Sequence, residues 1–233
     1  MTRIRFRGSA ATRTLSARGA PLSHRDVVTL RTIYTRQRPP SSAVPGVVRG
    51  GAPARLPGVP ETREHPSVVR VVEAAARKGV TLDIHTFSES THTAAEAAAA
   101  VGTDVERIVK SLVFVAGGDE GEPQTYVCLV AGPDRVDVAR LAIVVGEPDI
   151  RRASAREARD LTGFVIGGIP PLGHAHQVKV VMDPALDRHP IVWAAAGLPN
   201  VVFPVPPATL RALANATVAP IVEERAAPGD AAP

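Results

Sequence analysis

The chain has 233 residues, of which 45% are hydrophobic, so it can form one domain of ordinary size with a substantial core. Aromatic residues make up 3% of the chain, and that core must therefore be built from Val, Ala, Leu and Ile. The single cysteine, Cys128, excludes an internal disulfide framework and a cysteine-based zinc cluster. No apolar run approaches the roughly 18 residues of a membrane span, and the first residues have no signal-type apolar run, so we expect a cytoplasmic protein.

The net charge of +4 hides two unlike segments. Residues 1–63 hold 12 arginines against two acids, Asp26 and Glu61, which gives +10 and leaves −6 for the rest of the chain. This segment is rich in Pro, Gly, Ser and Ala without sustained apolar periodicity, which predicts a disordered extension. Three interpretations of it stay open: a basic arm that binds RNA, a transit-type leader, and a mis-assigned start.

The remaining chain predicts one folded domain over residues 64–225 and a disordered tail over 226–233. Helices are predicted from their capping residues, and residues 103–106 fit a further capping box. These helices begin, in chain order, at Ser67, at Thr91 or Thr93, at Asp137, at Ser154 and at Pro207. Strands are predicted over residues 80–87, 108–116, 125–131, 178–182, 191–195 and 201–205. Neighbouring strands with interspersed helices indicate a mixed α/β fold, with helices packed around a mixed sheet.

Lys110 is a lone cation inside the apolar run from Ile108 to Val115. Strand alternation places it on the same face as Leu112 and Phe114, which look buried. Burying an unpaired ammonium costs several kcal/mol. The side chain therefore either reaches solvent along its apolar stem or points into a cleft that receives an anion.

The segment from Gly167 to Gly173, Gly-Gly-Ile-Pro-Pro-Leu-Gly, is too rich in Gly and Pro for a helix or a regular strand. Its glycines permit close backbone approach, and its two prolines stiffen it and remove donors. The N–H groups of Gly167, Gly168 and Ile169 then remain free to face a ligand. The segment matches neither a phosphate-binding P-loop nor a dinucleotide fingerprint, and a purely structural turn stays open.

Other candidate chemistry is sparse. His174 and His176 share a strand face, but no third metal ligand stands at a recognisable distance, and we expect no metal or cofactor. Ser88, Ser90 and Ser111 lack the setting of an activated nucleophile. An enzyme built on this sequence would work without a side-chain nucleophile.

Four motifs in this order carry a family resemblance: residues 108–114 (IVKSLVF), 136–142 (VDVARLA), 162–173 (TGFVIGGIPPLG) and 192–197 (VWAAAG). Together they resemble the YbaK/prolyl-tRNA-synthetase-associated editing domain, over about residues 65–225. Members are aminoacyl-tRNA deacylases, freestanding or inserted in prolyl-tRNA synthetase. The resemblance implies a compact domain around a highly curved mixed sheet with a barrel-like core. It also implies hydrolysis of the ester between a wrong amino acid and the 3′ end of tRNA.

The resemblance carries over to individual residues. Lys110 matches the family's required lysine, and Gly167, Gly168 and Pro170 match its glycine-proline loop. Phe87 stands where relatives often have an aromatic residue that lines the pocket, and Phe164 matches the aromatic of their Thr-Gly-aromatic stretch. Ala195 stands near a position where some relatives have serine. The expected catalytic residues are Lys110, Gly167 and Gly168. The expected substrate-binding residues are Phe87, Ser111, Phe164, Ile169, Pro170, Gly173 and Ala195.

The implied partners are a mischarged tRNA and an aminoacyl-tRNA synthetase. Two alternatives stay open: a non-catalytic module that binds aminoacyl-tRNA or a nucleotide, and a metal-dependent hydrolase using His174 and His176. The negative charge of residues 64–233 conflicts with tRNA binding. It requires either a local basic face, built from Arg135, Arg140, Arg151, Arg152 and Arg156, or help from the arginine-rich arm.

Overall fold

A computed structural model describes residues 64–87, 93–117 and 123–224 of the chain. The predictions for the arginine-rich extension, the tail after residue 225, and most of the turn before β3 lie outside these residues. The described part is mixed α/β, as predicted. Its helices are α1 Pro66–Ala76, α2 Ala94–Val101, α3 Val138–Val145, α4 Ala155–Thr162 and α5 Pro207–Ala214. Its strands are β1 His85–Thr86, β2 Val109–Ala116, β3 Gln124–Ala131, β4 Arg151–Arg152, β5 Lys179–Met182, β6 Val192–Ala195, β7 Val201–Val205 and β8 Thr217–Val218.

Side-chain caps fix the starts of three helices where the sequence predicts them. The side chain of Thr93 accepts from the amide of Glu96 before α2, and Asp137 accepts from two amides before α3. Ser154 and Glu157 form a reciprocal capping box at the start of α4. Local hydrogen bonding alone determines these boundaries, which is why the sequence suffices to place them.

Three local predictions are wrong. The cap of α1 is His65, whose Nδ1 accepts from the amide of Ser67 at 3.2 Å, so Ser67 lies inside the helix. Residues 103–106 do not form a capping box, because a short 3₁₀ helix, Val105–Arg107, begins there without a side-chain cap. Of the strand predicted over residues 80–87, only β1 forms, because only that part meets a partner strand, β7.

The described strands form two sheets with mixed pairing, and they do not show a closed barrel. One sheet has the order β1-β7-β6, and the other has the order β4-β2-β3-β5-β8 with both parallel and antiparallel neighbours. A single parallel bridge, between Ile108 and Trp193, connects the two sheets. The two-residue strands β4 and β8 and a second 3₁₀ helix, Pro184–Arg188, were not predicted.

The five-stranded sheet is covered on both faces. One face packs against the three-stranded sheet, α1 and α5, through residues such as Val113, Leu129 and Phe203. The opposite face packs against α3 through Phe114 and Leu141. Burial on both faces explains why β3 reads as a continuous apolar run. No helix within the described ranges is long and apolar enough to cross a membrane.

Cys128 lies in β3 and is fully buried, as predicted for a small core residue. Burial raises the pKa of its thiol to about 12. Because the thiolate is the reactive form, this cysteine is a poor nucleophile at neutral pH.

Candidate active site

A cavity of about 240 Å³ lies where β2 passes the glycine-proline loop. Both sheets contribute to its wall: β2 through Lys110 and Ser111, and the three-stranded sheet through Trp193 and Ala195. Gly167 and Ile169 of the loop also line it. Five predicted site residues therefore line one cavity, although they are as many as 85 positions apart in sequence. They are Lys110, Ser111, Gly167, Ile169 and Ala195.

Lys110 is half-buried at this cavity, and its position decides between the two options left by the sequence. Its Nζ donates to the carbonyl oxygen of Asp134, in the turn after β3, at 2.5 Å. Burial lowers the pKa of Lys110; the charge of Asp134 opposes this change, and the positive charges of Arg152 and Arg135 add to it. The ammonium thus lines a cleft rather than pointing away into solvent, and it lies within the field of two further cations.

Ser111 lines the cavity next to Lys110. Its Oγ is buried without a hydrogen-bond partner among the described residues. The amide of Ala153 donates to the carbonyl of Val113 at 2.9 Å, so the main-chain groups of Val113 face away from β3. In an antiparallel strand, the main-chain groups of residues two positions apart point to the same side. The N–H and C=O of Ser111 therefore also face away from β3.

No strand covers β2 at Ser111. β4 pairs with Phe114 and Val115 but not with Ser111, and the bridge between β6 and this part of the chain lies at Ile108. Among the described strands, Ser111 therefore has no ladder partner on the side away from β3. This stretch of β2 borders the cavity beside the loop.

The glycine-proline loop is fixed from two sides. A Cβ on Gly168 would lie 2.8 Å from the backbone of Leu198, so only glycine permits this close approach. The amide of Gly168 donates to the carbonyl of Val165 at 3.0 Å and is not free, contrary to expectation. The amides of Gly167 and Ile169 have no acceptor among the described residues, and these are the loop donors that remain.

His174 supports the glycine-proline loop through two contacts. Its Nε2 lies 2.9 Å from the carbonyl oxygen of Pro170, and its ring packs edge-on against Phe164. Because a carbonyl only accepts, Nε2 carries the proton. His176 is exposed, and the described residues contain no group of three potential metal ligands. His174 therefore supports the loop, and the two histidines do not form a metal site with other described residues.

Besides Gly168, four other predicted site residues do not line the cavity. Phe164 is buried beneath the loop, with the guanidinium of Arg70 stacked 4.9 Å from its ring centroid. Pro170 is buried, and a Cβ on Gly173 would come within 3.2 Å of the backbone of α1. Phe87 pairs through its main chain with Asn200. Phe164, Pro170 and Gly173 thus support the loop, and Phe87 flanks the segment from Leu198 to Asn200.

The cavity also contains residues that the sequence did not single out as site residues. Trp193 lines it, and the ring of His85 packs edge-on against this indole at 5.1 Å. Ile166, an exposed residue just before the loop, adds an apolar wall. Arg152 adds a cation from β4. The lone tryptophan in the predicted strand 191–195 and the pair Arg151 and Arg152 were visible in the sequence, but only strand pairing brings them near Lys110.

The predicted basic face is largely neutralised. Arg140 pairs with Asp137 and Glu224, and Arg151 pairs with Glu157. Arg156 lies 3.7 Å from Asp160. Arg135 and Arg152 have no ion pair among the described residues. Of the five arginines of that predicted face, Arg152 is the one that lines the cavity of Lys110.

Comparison with known proteins agrees with this geometry. Residues 88–213 match the aminoacyl-tRNA editing domain family model. The chain is 33% identical over 128 residues to YwhH of Bacillus subtilis (strain 168), which covers 55% of this chain and 78% of that protein. It is 38% identical over 92 residues to the proline–tRNA ligase of Stenotrophomonas maltophilia (strain K279a), but this match spans only 16% of the ligase.

Two solved structures share the fold. One is described as a putative trans-editing enzyme for prolyl-tRNA synthetase: it superposes with a TM-score of 0.62 at 44% identity, covering 68% of this chain and 98% of that one. The other, hypothetical protein APE2540, has a TM-score of 0.60 at 29% identity and covers 66% of this chain and 99% of that one. The chain belongs to the aminoacyl-tRNA editing domain family.

Proposed function

We propose that this protein is an aminoacyl-tRNA deacylase that acts in trans and hydrolyses the ester of a mischarged tRNA. The observation that carries the proposal is the cavity itself, which Lys110 lines together with Gly167 and Ile169, whose amides have no acceptor among the described residues. A cation suits the phosphates of the tRNA 3′ end. Donors suit an ester carbonyl, on which negative charge develops in the transition state.

The donors would be the amides of Gly167, Ile169 and Ser111. Each lies on rigid backbone: the first two in a loop held by Leu198 and His174, the third in a paired strand. Removing a single donor of this kind typically lowers kcat by about 100- to 1000-fold. Gly168 contributes the fold of the loop rather than an N–H, because its amide already has an acceptor.

The hydrolysis needs no side-chain nucleophile. The oxygen of a water molecule bonds to the ester carbon, and the carbonyl electrons move to the oxygen held by the amides. When the tetrahedral intermediate collapses, the bond to the ribose oxygen breaks. That oxygen takes up the proton that the attacking water loses, and the vicinal ribose hydroxyl assists the transfer. The products are a free amino acid and an uncharged tRNA.

Lys110 would orient the substrate rather than act as base or nucleophile. Its ammonium already donates to the carbonyl of Asp134, and its remaining protons can bind a phosphate oxygen. Such contacts fix the ester against the amides, and orientation of this kind contributes strongly to rate.

Deacylation of tRNAs carrying alanine, cysteine, serine or threonine tests the proposal and identifies the preferred ester. Lys110→Met keeps an apolar stem but removes the charge, and we expect it and Lys110→Ala to abolish turnover. Lys179→Ala is the control, since Lys179 lies away from the cavity over the ring of Tyr126. Full activity of the Lys110 variants would overturn the assignment. Stoichiometric binding of these tRNAs without ester cleavage would favour a non-catalytic binding module.

A further inference from the structure

We propose that Arg152 is a second substrate-positioning cation, which binds a phosphodiester of the tRNA 3′ end together with Lys110. This inference rests on the proposed function. It starts from β4, a strand of only two residues in which Arg152 stands opposite Phe114 and Arg151 opposite Val115. Consecutive side chains of a strand point to opposite faces, so the two arginines are expected to have different surroundings.

The surroundings of the two arginines differ accordingly. Arg151 makes two hydrogen bonds to the carboxylate of Glu157, at 2.7 and 3.1 Å, beside a separate cavity. Arg152 lines the cavity of Lys110 and Ser111 and has no ion pair among the described residues. One arginine therefore completes a surface ion pair, whereas the other keeps its donors available at the candidate active site.

Arg152 also acts on Lys110 through space. Its positive charge is one of the causes that lower the pKa of Lys110. Two like charges at one cavity repel each other, and an anion placed between them relieves the repulsion and satisfies both. The guanidinium can bind two oxygens of one group, whereas the ammonium binds as a point charge.

The chemistry of an aminoacyl-tRNA identifies that anion. Esterification removes the negative charge of the amino acid's carboxyl group, and the free amino group of the amino acid is a cation. The negative charges near the reacting ester are therefore phosphodiesters, the nearest being on the 5′ side of the terminal adenosine. Lys110 and Arg152 would hold this group while the ester enters the cavity.

The test compares Arg152→Ala and Arg152→Lys with Arg151→Ala, the matched control from the same strand. Binding of an uncharged acceptor-stem RNA ending in CCA is measured between 50 and 300 mM salt. We expect Arg152→Ala to weaken binding about tenfold, as loss of a charged hydrogen bond does, and to reduce the salt slope by about 1. Arg152→Lys should keep the slope, and Arg151→Ala should match wild type.

Kinetics separate positioning from a structural role. In Arg152→Ala we expect a KM raised about tenfold with kcat within about twofold, and an unchanged melting temperature, because Arg152 is exposed. Equal effects of Arg151→Ala and Arg152→Ala on affinity and slope would overturn the inference. So would wild-type affinity of Arg152→Ala in an enzyme that hydrolyses its esters. Absence of turnover in the wild-type protein would instead count against the proposed function, since the binding measurement needs no catalysis.

Discussion

His174 should make the stability of the protein depend on acid pH. Burial lowers the pKa of His174 from 6.5 to about 4, although its hydrogen bond to Pro170 opposes the change. The unfolded chain therefore takes up a proton between these values and the folded protein does not. Stability is consequently lost as the pH falls from about 6.5 to about 4.

The size of this effect follows from the gap between the two pKa values. At about 1.4 kcal/mol for each pKa unit, the gap amounts to about 3 kcal/mol. That is a large share of the 5–15 kcal/mol that stabilises a typical domain. Protonation also charges a ring that packs against Phe164 beneath the loop, so the loop should lose its support as the domain weakens.

The assay is urea unfolding at pH 7 and at pH 4 for wild type, His174→Gln and His176→Gln. Glutamine keeps an N–H that can donate to Pro170 but cannot be protonated in this range. We expect His174→Gln to lose about 3 kcal/mol less than wild type between the two pH values. His176→Gln, altered at an exposed position two residues away, should follow wild type. An identical loss in wild type and His174→Gln would refute the reasoning.

Two further predictions concern the loop and the extension. Gly168→Ala should destabilise the domain by about 1–3 kcal/mol, because a Cβ there meets the backbone of Leu198; thermal unfolding checks this, and unchanged stability would show that the loop can move aside. Deletion of residues 1–60 should lower tRNA affinity and its salt slope if the arginine-rich segment is a basic arm, and full-length behaviour of the truncated protein would rule that function out.

Features fixed by neighbouring residues could be predicted from the sequence. The caps at Thr93, Asp137 and Ser154 depend on amides within three positions, and they formed where expected. The capping box predicted at residues 103–106 is absent for a local reason of a different kind. The segment is too short for an α-helix and leads directly into β2, so the cap has no helix to serve.

Features that depend on distant partners were missed. The alternation of residues 80–87 predicts a strand, yet only β1 pairs with a strand, because β7 runs beside the chain only there. Two adjacent arginines with no flanking apolar pattern do not suggest a strand, and β4 forms only because β2 is available. The position of Arg152 at the cavity follows from that pairing and could not be deduced from local pattern.

The predictions for the candidate site divide in the same way, into features that neighbouring residues determine and features that depend on distant partners. Lys110 and the glycine-proline loop were predicted as a unit; both line one cavity, and their shared role stays a prediction. The occupied amide of Gly168 was not foreseen, because whether an N–H is free depends on how the loop turns. Ser111 was expected at the site, but whether a strand pairs with it on the side away from β3 depends on where β4 ends.

The cavity lies across the seam between two sheets that are joined by one bridge, at Ile108 and Trp193. The width of the cavity therefore depends on how the two sheets pack against each other, and not on the hydrogen bonds within either sheet. Substitutions in the shared core, such as at Phe203, can widen or narrow the cavity while leaving every strand pair intact. In such a fold, the size of ligand that the cavity accepts can change through substitutions outside its wall, with the chemical groups that line it unaltered.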